Sequence, residues 1–362
     1  MKIFRIWAAG VVIIGSTPVS AGTATQAKAV RTAYEKAVEA WEIKIQLAET
    51  DNERRQLAKE RPETERAARQ MWAVIRNDLE KDWIVEPAAW FLRIAGNLVR
   101  ENPDGGKSRT MAEEIARLRG AIQAHHVNDA RLAPICLALV SLGDPPSLKL
   151  LRVIEKNSPH EKVSGVAALC IAMMLKDTGD DNVRLIQERL TMIRKAIIHA
   201  ADVEVDGVKM ADIAEEELYI INNLTEGRTA PPLAGKDSGG RAMSLADYED
   251  RVVVLIFWNS ESDGALELLQ WVERIRRDER FRDAPFEVVG VCGASSERLR
   301  ELQRRQKIDW PNFSDPDGEL AERYRVGVRP LAYVLGPGRK IQYVGPIGTF
   351  AELTAAAVLD DL

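Results

Sequence analysis

Cysteine and histidine are scarce in this sequence, three and four residues among 362. That scarcity excludes a disulfide-stapled mini-scaffold and any cysteine-rich zinc module. Charge of one sign is also missing. Lys and Arg number 50 against 55 Asp and Glu, a net charge of −5, so a polybasic nucleic-acid surface is not the main function. No stretch reaches the roughly 20 apolar residues of a membrane span, and no stable membrane insertion is expected. What is there is ordinary globular material, 46% hydrophobic and 29% charged, in a length that suits more than one domain.

The first residues read as an address. Lys2 and Arg5 precede an uncharged apolar stretch over 6–15, Pro18 breaks it, and Val19-Ser20-Ala21 supplies small residues at cleavage positions. This is the layout of a signal peptide over 1–21, cut after Ala21, and it predicts an exported, periplasmic or secreted chain. No Cys stands near the cut to carry a lipid anchor.

Residues 22–226 read as all-α. Tyr34, Val38, Trp41 and Ile45 recur at helical spacing, as do Met71, Trp72, Ile75 and Leu79. Pro87 opens a helix that stops at Asn102-Pro103-Asp104-Gly105-Gly106. Helices over 132–142, 148–155, 163–175 and 183–198 pair up, with Cys136 and Cys170 at matching positions. These pairs resemble HEAT- or TPR-type hairpins. Cys136 and Cys170 are expected in the core, with a disulfide between them as the alternative. His125, His126 and Asp129 do not converge as metal ligands, and a solvated helix end is the expectation there.

Beyond residue 227 the pattern changes. Gly239-Gly240 marks a hairpin turn, and buried strands follow at 252–257, 286–291, 331–335 and 340–344, the first three separated by helices. Continuous apolar strands alternating with helices define an α/β sheet covered on both faces. The chain therefore divides into a helical domain, 22–226, and an α/β domain, 227–362.

Several ordered landmarks in that second domain carry a resemblance: Ala230-Pro231-Pro232, Ser244-Leu245-Ala246-Asp247-Tyr248, the strand ending at Trp258, Trp310-Pro311, Asp315-Pro316-Asp317-Gly318, Tyr324-Arg325-Val326 and Arg329-Pro330. In this order they resemble the thioredoxin-like redoxins of the TlpA/ResA and AhpC/TSA type. Ser158-Pro159-His160-Glu161-Lys162-Val163 and Ile213-Ala214-Glu215-Glu216-Glu217-Leu218 resemble helical segments ahead of that domain in exported bacterial redoxins. The resemblance implies a thioredoxin fold, a cis proline at Pro330, and a groove beside it that pairs with an extended substrate segment.

It also implies a Trp-Cys-x-x-Cys turn, whose first thiol ionises at a helix N-terminus and whose second resolves the mixed disulfide. Here Glu261 stands for the Trp, Ser262 for the attacking Cys and Ala265 for the resolving Cys, within Glu261-Ser262-Asp263-Gly264-Ala265. Dithiol exchange at this turn is excluded. Ser262 has no histidine in its domain to act as base, so it is expected to cap the following helix, with Asp263 in the first turn. Cys292 is the domain's remaining thiol. It is expected to be a small buried apolar residue, with a displaced redox thiol as the alternative.

Trp258, Arg329 and Pro330 are the candidate binding residues. No metal and no cofactor are expected, and the partner class is a protein or peptide. The expected function is that of a redox-inactive binding or structural module. The rival is a thiol-disulfide oxidoreductase or antioxidant redoxin that uses Cys292 or a partner's thiol.

Overall fold

The computed structural model describes residues 22–103, 105–176, 183–262, 264–305 and 308–362. The expected signal peptide, Asp104, Asp263 and Gln306 lie outside these residues. The chain divides into two compact units, one ending at Cys170 and the next beginning at Ile171.

The first unit begins with α1 (Ala24–Leu47), α2 (Asp51–Lys59) and α3 (Thr64–Ile75). Thr23 and Gln26 form a capping box at the start of α1, each side chain accepting the other's backbone N–H. After α4 (Val85–Ala95), strands β1 (Val99–Glu101) and β2 (Lys107–Arg109) form an antiparallel hairpin. The residues expected only to stop a helix therefore turn a hairpin as well, Asn102 donating to the Gly106 carbonyl at 2.7 Å. Its strands are short and exposed, so no alternation marks them. Then come α5 (Ala112–Ala121), a π-turn over Ile122–His126, α6 (Ala133–Leu142) and α7 (Pro145–Asn157). Helix α8 (Glu161–Leu175) runs across the division. Its core and that of α3, α4 and α6 are filled by buried residues such as Met71, Phe91, Leu139 and Leu169.

The second unit opens with α9 (Val183–Ala200) and a two-residue hairpin, β3 (Glu204–Val205) and β4 (Val208–Lys209). Asp206 and Gly207 both have positive φ in its turn, the conformation that an Asp-Gly pair favours. That dipeptide is the signal which an all-helical reading passes over. Next are α10 (Met210–Asn223) and the hairpin β5 (Ala234–Lys236) and β6 (Ala242–Ser244) around Gly239-Gly240. The remainder is β7 (Val252–Trp258), α11 (Ala265–Arg277), α12 (Glu279–Arg282), β8 (Phe286–Cys292), α13 (Ser296–Arg304), β9 (Asn312–Ser314), α14 (Glu319–Arg323), β10 (Leu331–Gly336), β11 (Lys340–Gly345) and α15 (Thr349–Asp360).

The main sheet has the order β11-β10-β7-β8-β9. Strands β7, β8 and β9 are parallel, and β10 is antiparallel to both β7 and β11. Every residue of β7 is buried because both faces are covered. Val252, Val254, Ile256 and Trp258 face one apolar layer with Leu268, Trp271, Leu299 and Ala355. Val253, Leu255 and Phe257 face the other, with Tyr324, Tyr333, Ile220 and Leu224.

The last two residues, from α10 and the residue after it, close this face of the sheet from ahead of residue 227. Helix α10 covers the sheet, and the Tyr219 hydroxyl donates to the Arg323 carbonyl at 2.9 Å. The chain at 227–228 then pairs with β11 through Gly227 N–H to the Ile341 carbonyl and Ile341 N–H to the Arg228 carbonyl, both 2.8 Å. The apolar face of α10 is thus part of the core on this side of the sheet, and no open linker separates them.

Candidate functional site

The sheet brings the sequence-marked residues to one end. In the parallel register Trp258 sits beside Cys292, and Gly293 N–H donates to the Trp258 carbonyl at 3.1 Å. In the antiparallel register Phe257 sits beside Leu331, immediately after the cis Arg329–Pro330 bond. Strand β11 ends alongside, with Gly345 opposite Ala332. The turn after β7, the end of β8, the loop before β10 and the exit from β11 therefore share one edge.

Among its described residues the turn carries no nucleophile with a base. Asn259 organises it: its side-chain oxygen accepts from Glu261 N–H at 3.3 Å, and its carbonyl accepts from the Ser262 hydroxyl at 3.0 Å. Ser262 then lies ahead of the helix, and Gly264 is the N-cap residue, with no side-chain cap bond. The expected capping role of Ser262 is corrected on that ground: its hydroxyl is turned back onto the loop. Asp263 lies outside the described residues. Glu261 is exposed, while Ser262, Gly264 and Ala265 are half-buried. A Cβ on Gly264 would stand 3.5 Å from Pro330 Cδ, which places the helix start against the proline ring.

Trp258 is the second correction. It is 1% exposed, its ring lies 5.8 Å from that of Trp310, and its Nε1–H donates to Asn312 Oδ1 at 2.8 Å. Asn312 in turn donates to the Trp310 carbonyl at 2.9 Å. A Cβ on Gly290 would fall 1.8 Å from Asn312 Oδ1, so glycine there is what lets the amide reach the indole. Trp258 belongs to the core, and of the candidate binding residues Arg329 and Pro330 are half-buried.

Cys292 is fully buried at this end of β8. Burial pushes its thiol up from the ordinary 9.0 to about 11, against the opposing pull of the Ala294 and Ser260 backbone N–H groups and the Arg329 cation. The Arg329 guanidinium lies near Gly293, 3.6 Å from where a Cβ would stand. Among the described residues no ion pair joins Arg329 to Glu261.

Elsewhere, Cys136 and Cys170 are free and buried. Burial raises both thiols, Cys136 to about 12. His126 is buried rather than solvated, with Nε2 bonded to the Leu79 carbonyl at 2.7 Å; the π-turn rotates it inward. Among the described residues no group of three or more His, Cys, Asp or Glu is placed to hold a metal ion. No described helix is long and apolar enough to cross a membrane.

An open sheet of this order, with the proline turn facing a strand-to-helix turn, is a thioredoxin-like fold. Residues 227–344 match the AhpC/TSA family, and this domain is similar to thioredoxin-like redoxins. The chain is similar to the chloroplastic peroxiredoxin Q of Sedum lineare, 29% identical over 121 residues, covering 33% of this chain and 63% of that protein. It is similar to the thiol-disulfide oxidoreductase ResA of Bacillus subtilis, 23% identical over 139 residues, 36% of this chain and 72% of that one. Among solved structures, the thioredoxin domain of a Bacteroides vulgatus thiol-disulfide oxidoreductase is 19% identical, with a TM-score of 0.32, over 38% of this chain and 98% of that one.

Proposed function

We propose that this protein is exported and acts as a binding module, its redoxin domain holding a protein or peptide segment at the Pro330 end of the sheet without thiol chemistry. One observation carries the reading. At the edge where the superfamily places its working cysteines, the turn offers Ser262 and Ala265, and the single nearby sulfur, Cys292, is buried and hard to ionise. A neutral thiol shut away from solvent neither attacks a disulfide nor meets peroxide at a useful rate. Export is supported by the leader pattern over 1–21.

The rival reading, an oxidoreductase working through Cys292, draws on the relatives' activities and on the Arg329 cation and two N–H groups that face the sulfur. Dithiothreitol-coupled insulin reduction and peroxide consumption separate the two, run on the wild type and on Cys292→Ser. The binding-module reading expects neither protein to exceed buffer. Turnover by the wild type that disappears in Cys292→Ser would make Cys292 the working thiol and sink the proposal.

A further inference from the structure

We propose that the segment bound at the Pro330 edge carries one side-chain carboxylate among apolar residues, and that Arg329 is the group that reads it. This rests on the binding-module reading above and names the chemistry of its partner.

Two features of the edge set that chemistry. The first is apolar. Val328 is 79% exposed just before Arg329, Leu266 is 66% exposed in the first turn of α11, and Phe350 is 75% exposed in the first turn of α15. All three belong to segments that enter or leave the sheet at the same end as the Ser262 turn. Large side chains left in water on three segments at one end of the sheet give that end apolar material for a partner to cover.

The second is a cation that no carboxylate among the described residues pairs with. Several arginines of the domain have acidic partners, Arg280 meeting Asp278 at 2.7 Å and Arg277 meeting Glu273 at 2.7 Å, whereas others, such as Arg300 and Arg323, donate to backbone carbonyls. Arg325 pairs with Glu216. Arg329 is half-buried, beside Gly293 and close enough to the Cys292 thiol to act on it electrostatically. Among the described residues no carboxylate pairs with it. A guanidinium partly removed from water gains most from a carboxylate that supplies the missing acceptors. Glu261, exposed in the adjoining turn, repels a partner with acids along its whole length. A single acid flanked by apolar side chains suits both neighbours.

The test is fluorescence anisotropy with the purified protein and short labelled peptides, amidated at the C-terminus. Each has apolar residues around a central Asp, Asn or Lys, and one Asn peptide keeps a free C-terminal carboxylate. The Asp peptide is expected to bind at least about tenfold more tightly than the amidated Asn peptide, with the Lys peptide weakest. Arg329→Gln should erase the Asp preference, and Arg329→Lys should keep part of it. Equal binding of the Asp and Asn peptides by the wild type overturns the acid-reading role while leaving peptide binding in place, and needs no variant to fold. A preference for the free C-terminus alone overturns the side-chain assignment. Binding of none of the peptides overturns this inference and the binding-module reading together.

Discussion

At the residue scale, burial outweighs every charge-stabilising contact at Cys292. Two backbone N–H groups and Arg329 favour the thiolate, and desolvation still leaves the thiol at about 11. The native protein should therefore resist a thiol reagent at pH 8, whereas urea should release all three cysteines of the sequence; a fast native equivalent would contradict the placement. The shift also has a sign. A folded thiol near 11 holds its proton where the unfolded one, near 9.0, has lost it. The stability it contributes is complete below about pH 9 and is lost as pH rises toward 11. Urea midpoints measured across that window, with reductant present, should fall more gently in Cys292→Ala than in the wild type. Asn312 makes a second residue-scale prediction. Asn312→Ala leaves the Trp258 indole N–H buried without its acceptor, a loss of about 1–3 kcal/mol, read as a lower urea midpoint with unchanged slope.

At the element scale, α10 is held from both sides. Its apolar face presses Ile220 against the sheet, followed by Leu224 just past its end. Its other side meets α9 through Arg189 and Glu217, 3.1 Å apart and almost wholly buried. Removing one partner of a buried pair leaves the other charge less well compensated, which typically costs up to about 3–5 kcal/mol. Glu217→Ala should destabilise by that order in chemical denaturation. A double change of Arg189 and Glu217 to apolar residues should recover much of the loss, since both buried charges are then gone and Lys176, which also meets Glu217, is exposed enough to be solvated. If Glu217→Ala were neutral, the pair would not be structural in the way its burial implies.

At the scale of the whole molecule, residues ahead of 227 close part of the sheet of the α/β domain. A fragment spanning 227–362 would uncover the sheet face that Ile220 and Leu224 close, whereas a fragment spanning 183–362 keeps α9 and α10. The shorter fragment should bind an apolar dye and unfold at lower urea than the longer one. Equal midpoints would mean that α10 adds nothing to the core. The same arrangement affects function. The Pro330 edge is built from four strands whose positions depend on both covering layers, so loosening one face is expected to weaken peptide binding as well as stability.

What the sequence determined by itself is what local chemistry can encode. Continuous apolar runs placed β7, β8, β10 and β11 within a residue or two, and the Gly239-Gly240 turn set the β5–β6 hairpin. The ordered landmarks from Ala230 to Pro330 identified the redoxin fold, and the residues at the turn showed which thiols it lacks. Short strands without an apolar rhythm, β1 to β4 and β9, left little to read. Only the tertiary structure decided that Trp258 is core, because its partner Asn312 lies 54 residues away. It alone turned the Ser262 hydroxyl back to Asn259, buried Cys292, left Arg329 without a described carboxylate, and gave α10 to the redoxin sheet. Periodicity and turn residues report a segment's own preference, but burial and partnership depend on which distant segment arrives beside it.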